Sequence, residues 1–108
     1  SLHRSSRPQP GETAAASDGW HTSPEAAFAE AAATGKPLFI DFWGISCKAC
    51  NTMDATTLKN PEVTRRLDGM VRLKIQADDF NAPGVAEYVL KYGVIGLPTY
   101  IVTVVDGE

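Results

Sequence analysis

At 108 residues, 44% of them hydrophobic, the chain is long enough to bury one core and too short for a second. Its formal net charge is −3 and two of its arginines, Arg4 and Arg7, lie near the N-terminus, so no basic patch argues for nucleic acid. The longest apolar run, near Tyr100 to Val105, falls far short of the roughly 20 residues that cross a bilayer, and no hydrophobic signal segment opens the sequence, so the chain as given reads as soluble.

Residues 1–19 are rich in Ser, Pro, Gly, Ala and Thr and hold hardly any large apolar side chain, which reads as a flexible linker or expression remnant. The domain is expected over residues 20–108. Trp20 to Thr22 suggests a very short edge strand. Ser23, Pro24 and Glu25 then mark a helix start, with a hydroxyl cap, proline at the first helical position and an acid at the positive end of the dipole. That helix is expected to run to about Thr34 and stop at Gly35, with Pro37 barring continuation; its alanines predict close packing, with Phe28 as the large anchor.

Leu38 to Phe42 is apolar apart from Asp41, as in a central strand covered on both faces. The run breaks at Gly44 and gives way to a helical pattern that carries both cysteines of the chain, Cys47 and Cys50. A thiolate at Cys47, at a helix start, is favoured by the partial positive charge of the backbone N–H groups, and Cys50 lies within reach to resolve a mixed disulfide. Cys50, Met53, Asp54, Thr57 and Leu58 share a helical face, so Asp54 sits one turn below Cys50. Two carboxylates, Asp41 and Asp54, are thus aimed inward near the dithiol. Two other readings stay open: half of a zinc site, for which only His3 and His21 remain as histidine ligands, and inert structural cysteines. For Asp41 the alternative is a structurally hydrogen-bonded acid, for Asp54 a solvated helix residue, for Trp43 plain core packing and for Pro98 an ordinary strand-entry proline.

Asn60 and Pro61 interrupt the dithiol helix, and Glu62 to Leu67 add a turn or two. Val71, Leu73 and Ile75 alternate with Arg72, Lys74 and Gln76, the period of a strand with one wet face. A further helix is expected from Asn81 to Gly93, with Pro83 in its first turn and Val85, Tyr88, Val89 and Tyr92 as its apolar stripe. Gly96, Leu97, Pro98 and Thr99 lead into a β-branched strand through Val105, and Asp106–Gly107 is a hairpin-turn signal. The alternation of strands and helices predicts an α/β fold with helices on both faces of a sheet.

This order, with Trp43–Gly44, the Cys47-Lys48-Ala49-Cys50 box and Gly96-Leu97-Pro98-Thr99 before a late strand, resembles the thioredoxin superfamily over residues 20–107. Within it, the run Lys36 to Phe42, the dithiol box, Asp54, Asn60 to Val63 and the Leu97-Pro98 pair look most like the C-terminal domains of the DsbD family, membrane thiol:disulfide interchange reductases. The resemblance implies a thioredoxin-like fold with a central mixed sheet, and a periplasmic or otherwise extracytoplasmic domain that reduces disulfides in partner proteins. It makes Cys47 the attacking thiol, Cys50 the resolving one, and Pro98 a cis proline that leaves the backbone at Leu97 free to pair with an extended partner segment. Asp41 and Asp54 are then candidates for moving the Cys50 proton, and Trp43, Leu97 and Pro98 for contacting the partner. No cofactor or metal is implied, and a membrane-embedded reductase is a possible redox partner.

Two departures from the family pattern stand out. Ser46 occupies the place where Trp commonly precedes the first cysteine, which trades an apolar contact for a helix-capping hydroxyl. The family also continues into a further strand and helix, so the last strand here is expected to show an open edge available for chain pairing. A redox-inactive interaction module with this fold, and a general thioredoxin, are the competing functions.

Overall fold

The sheet is built around β2 (Leu38–Trp43), whose first five residues are all buried, because both of its faces and both of its edges are covered. The computed structural model describes residues 15–107 apart from residue 17; most of the stretch read as a linker lies outside the described residues. Four strands run in the order β1 (Trp20–His21), β3 (Val71–Gln76), β2, β4 (Thr99–Thr103). The first three are mutually parallel, and β4 is antiparallel to β2, giving the mixed sheet of a thioredoxin-like fold.

One face carries the main core. Leu38, Ile40 and Phe42 of β2 and Val71, Leu73 and Ile75 of β3 meet Ala27 and Ala31 of helix α1 (Pro24–Thr34) and Val89 of helix α4 (Ala86–Tyr92). Ala27 and Ala31 lie four residues apart with no exposed surface, so the α1 backbone packs close to the strands, as its alanines predict. Ser23 caps α1 by accepting from the Ala26 N–H at 3.2 Å, and Gly35 ends it in the left-handed conformation at φ 73°.

The opposite face holds the dithiol helix α2 (Lys48–Ala55) and an aromatic row. Trp20 stands edge-on to Phe39 at 5.9 Å, and Phe39 stacks on Tyr100 at 5.7 Å. Arg72 and Lys74 reach over the Trp20 ring at 5.8 and 5.1 Å. The expected wet face of β3 is therefore only partly wet, since these two cations lay their stems on an indole.

Three boundaries differ from expectation. Helix α2 stops at Ala55: Thr56 turns its hydroxyl onto the Thr52 carbonyl at 2.6 Å and takes φ −120°, ψ −85°. A short 3₁₀ turn follows at Thr57–Lys59, so Thr57 and Leu58 leave the Cys50 stripe. Asn60 then caps α3 (Pro61–Leu67). The segment 81–85 forms turns rather than helix, started by Asp79 accepting from the Asn81 N–H at 2.9 Å, and α4 begins only at Ala86. Strand β4 ends at Thr103, two residues early, because its partner there is Leu38, the first residue of β2. Val105, beyond the strand, packs against the core, and the Asp106–Gly107 turn signal stands at the edge of the described residues.

Candidate active site: the Cys47–Cys50 dithiol

Parallel strand β2 delivers the chain to the end of the sheet at Trp43, and a tight turn through Gly44 starts α2. Cys47 is itself the N-cap of α2: its backbone is extended (φ −84°, ψ 104°) and its Sγ accepts from the Cys50 N–H at 3.0 Å. The capping role read for Ser46 thus belongs to the neighbouring sulfur, and Ser46 is exposed. Sγ of Cys47 and Sγ of Cys50 are bonded as a disulfide, with Cα atoms 5.2 Å apart. Their exposure is unequal. Cys47 is half-buried, whereas Cys50 keeps only 2% of its surface. An attacker from solvent therefore meets Cys47, and in the reduced form the amide already aimed at that sulfur favours its thiolate.

Cys50 and Asp54 lie one turn apart on α2, and the charge of Asp54 is felt at Asp41, so this helix face lies over the Asp41 side of β2. Asp41 is 1% exposed, and its Oδ1 has no hydrogen-bond partner. Burial, and then repulsion from Asp54, push its pKa up to about 6, against a smaller opposing pull from Lys74. The reading of Asp41 as a structurally bonded acid does not fit that orphaned oxygen, and Asp54 is half-buried rather than solvated. Tyr100, opposite Asp41 in the β2–β4 ladder, is pushed up to about 12 by burial and by the same two carboxylates.

The Leu97–Pro98 peptide bond is cis. Pairing of β4 with β2 begins only at Thr99, opposite Phe42, so Leu97 lies outside that ladder. Its side chain crowds the dithiol turn: a Cβ added at Gly44 would stand 3.0 Å from Leu97 Cδ1 and 2.8 Å from Asp78 Oδ1. A side chain at position 44 would have to push both of these side-chain tips aside. Ile45 and Ile95, one on each loop, are 63% and 95% exposed.

Cys47 and Cys50 are thus bonded to each other, Asp54 lies one turn from Cys50 and acts on Asp41, and Leu97, followed by cis-Pro98, meets the dithiol turn at Gly44. Trp43 ends β2 directly before the dithiol turn and lines a cleft of about 320 Å³ with Thr22, Lys74, Gln76 and Val85. His21 is buried in β1 and bonded to Glu30 at 2.6 Å, so it is not turned toward the cysteines as a zinc ligand, and His3 lies outside the described residues. Sequence reasoning missed Asp78, which accepts from the Ile45 N–H at 2.8 Å across 33 residues, and Tyr100. Neither carries a local spacing signal; only the strand register brings them to the site.

A thioredoxin-like family model matches residues 19–102, the span that holds every element of the sheet except the last residue of β4. The chain belongs to the thioredoxin-like family. This thioredoxin-like chain is 40% identical over 71 residues to the thiol:disulfide interchange protein DsbD of Cronobacter sakazakii, a match that covers 66% of the chain and 12% of that relative. It therefore spans about an eighth of the length of the curated relatives it matches. Among solved structures, the oxidised DsbD C-terminal domain of Neisseria meningitidis superposes with a TM-score of 0.65 at 31% identity, covering 78% of this chain and 73% of that one. A thioredoxin from Thermus thermophilus gives 0.62 at 29% identity, covering 77% and 62%.

Proposed function

We propose that the protein is a thiol:disulfide oxidoreductase that passes two electrons from the Cys47/Cys50 dithiol to disulfides in partner proteins. The observation that carries this is the pair of sulfurs at the start of α2, one accessible and amide-bonded, the other buried beside a raised-pKa acid. The Cys47 thiolate attacks one sulfur of the partner disulfide; that S–S bond breaks, and the partner's other sulfur leaves as a thiolate. Cys50 then gives its proton to the Asp41/Asp54 carboxylate pair and attacks Cys47 Sγ. The mixed bond breaks, the partner's second thiolate departs, and the Cys47–Cys50 disulfide closes. A dithiol donor recharges the domain by the same steps in reverse.

Asp41 suits the proton transfer because a carboxyl at about 6 is a better base near neutrality than a solvated one, and general bases work best near the working pH. Leu97 and cis-Pro98 offer a partner an unpaired stretch of backbone next to the sulfurs, with Ile45 and Ile95 as flanking apolar contacts. Trp43, which precedes the dithiol turn and lines the neighbouring cleft, is a further partner contact. Similarity to DsbD proteins supports an extracytoplasmic location and a membrane-embedded dithiol as the electron source. No helix among the described residues is long and apolar enough to cross a membrane.

The test is reduction of a protein disulfide by wild type and Cys47→Ser. Turnover by wild type and none by the variant is expected; equal turnover ends the proposal. A reduction potential near about −270 mV is expected for the couple, and one near about −120 mV would make the domain an oxidant instead.

A further inference from the structure

We infer that Asp78 is a positioning residue for Cys47, clamping the turn between β2 and α2 so that the attacking sulfur stays at the helix N-cap. The inference deepens the proposed function and rests on it. Asp78 follows β3 and belongs to neither dithiol element, yet its Oδ1 accepts from the Ile45 N–H at 2.8 Å and its Oδ2 from the Gln76 side-chain amide at 2.6 Å. Gln76 is the last residue of β3, paired in register with Trp43, the last residue of β2. The carboxylate is thus fixed from the sheet on one side and holds the loop on the other.

The loop has few other fasteners. Among the described residues, the Ala77 N–H to Trp43 carbonyl bond at 2.7 Å and the Asn51 N–H to Cys47 carbonyl bond at 3.1 Å fix the two ends of the turn, and between them the one other backbone bond is the Cys47 N–H to the Gly44 carbonyl, long at 3.3 Å. Without Asp78, the residues just ahead of Cys47 would be held mainly by that weak bond and by contact with Leu97. The Gln76 amide and the Ile45 N–H keep the Asp78 carboxyl below the ordinary carboxylate range, so it is ionised throughout the neutral range. An ionised carboxylate near a thiolate also repels it, so Asp78 exerts two opposed effects on Cys47: position favours the thiolate and charge disfavours it. The other charged groups around the dithiol are Lys48 on α2, the Asp41–Asp54 pair on the Cys50 side and Lys74 of β3, which acts on Asp41; the substitutions at position 78 leave all four in the sequence.

Two substitutions separate these effects. Asp78→Asn keeps a carbonyl oxygen for the Ile45 N–H and removes the charge, whereas Asp78→Ala removes both. The readout is the pH dependence of iodoacetamide alkylation of Cys47 in the reduced protein, followed by peptide mass mapping. Asp78→Asn is expected to leave Cys47 at least as reactive at pH 7 as in wild type. Asp78→Ala is expected to slow it roughly three- to tenfold, as a thiol pKa raised by up to about one unit would. Equal behaviour of Ala and Asn overturns the clamp. Should Asp78→Ala fail to fold, Gln76→Ala, which frees the carboxylate at the strand surface, is expected to slow alkylation in the same direction, and no change there also overturns the clamp. Failure of Cys47 to react faster than Cys50 in wild type would instead count against the proposed function.

Discussion

Asp41 stands directly opposite Tyr100 across the β2–β4 ladder, and the two acids are shifted upward together. Burial is the larger cause for each; the Asp41 and Asp54 charges add to the shift at the phenol. The outcome is a carboxyl at about 6 beside a phenol that stays neutral to about 12, so only Asp41 of this pair can exchange a proton near neutral pH.

Resolution by Cys50 should therefore follow Asp41. In wild type, closing of the Cys47–Cys50 bond is expected to speed up as pH rises through about 6, with the apparent value belonging to the coupled Asp41/Asp54 pair. Asp41→Asn is expected to abolish that limb and slow resolution about a hundredfold, the low end of general-base contributions. Rapid-quench measurement of mixed-disulfide decay between pH 5 and 8 checks both. An unchanged limb in the variant would assign the proton to another group.

The same substitution is expected to stabilise the fold, with a definite pH window. Because the folded pKa of about 6 lies above the ordinary 3.8, the protonated carboxyl is the form the fold prefers, and ionised Asp41 weakens it. Wild-type stability from this group is full below about pH 3.8 and is lost as pH rises through 6. Asp41→Asn is thus expected to gain about 2 kcal/mol at pH 8 and nothing at pH 3, the upper limit being about 1.4 kcal/mol per pKa unit. Urea denaturation of the oxidised protein at the two pH values measures the difference.

Cys50→Ala is expected to trap the mixed disulfide. Cys47 keeps its exposure, while the buried sulfur that would release the partner is gone. Non-reducing electrophoresis with a disulfide substrate should show a covalent adduct that persists until dithiothreitol is added, and Cys47→Ser should show none.

At Gly44 the added methyl of Gly44→Ala must displace the side-chain tips Asp78 Oδ1 and Leu97 Cδ1, which stand 2.8 and 3.0 Å from it. A loss of about 1–3 kcal/mol is expected from overpacking, together with slower partner reduction because the turn and the cis-proline loop are forced apart. Thermal melting and turnover, measured on the same sample, test the two parts.

Much of this molecule can be read in the residues themselves. Ser23-Pro24-Glu25 and Gly35 bracket α1, the buried run at Leu38 to Phe42 marks the central strand, and Cys47 and Cys50 announce a dithiol at a helix start. Asp41 stands out because an acid within an apolar strand is costly unless it has a use. The harder features depend on competition or register. The end of α2 at Ala55 turns on Thr56 bonding its own helix, and the late start of α4 on an Asp79 turn, both side-chain choices that periodicity does not reveal. Asp78 reaches Ile45 only because β3 runs beside β2 in a register that brings Gln76 level with Trp43.

The crowding at Gly44 and the bareness of Ile45 and Ile95 divide the labour of this loop pair. Where the two loops touch, the tips of Asp78 and Leu97 would have to move before position 44 could carry a side chain. A few ångströms away the side chains stand in water and are free to be exchanged. If the proposed function holds, substitutions at Ile45 and Ile95 are expected to change which partner is reduced and to spare the Cys47–Cys50 couple itself.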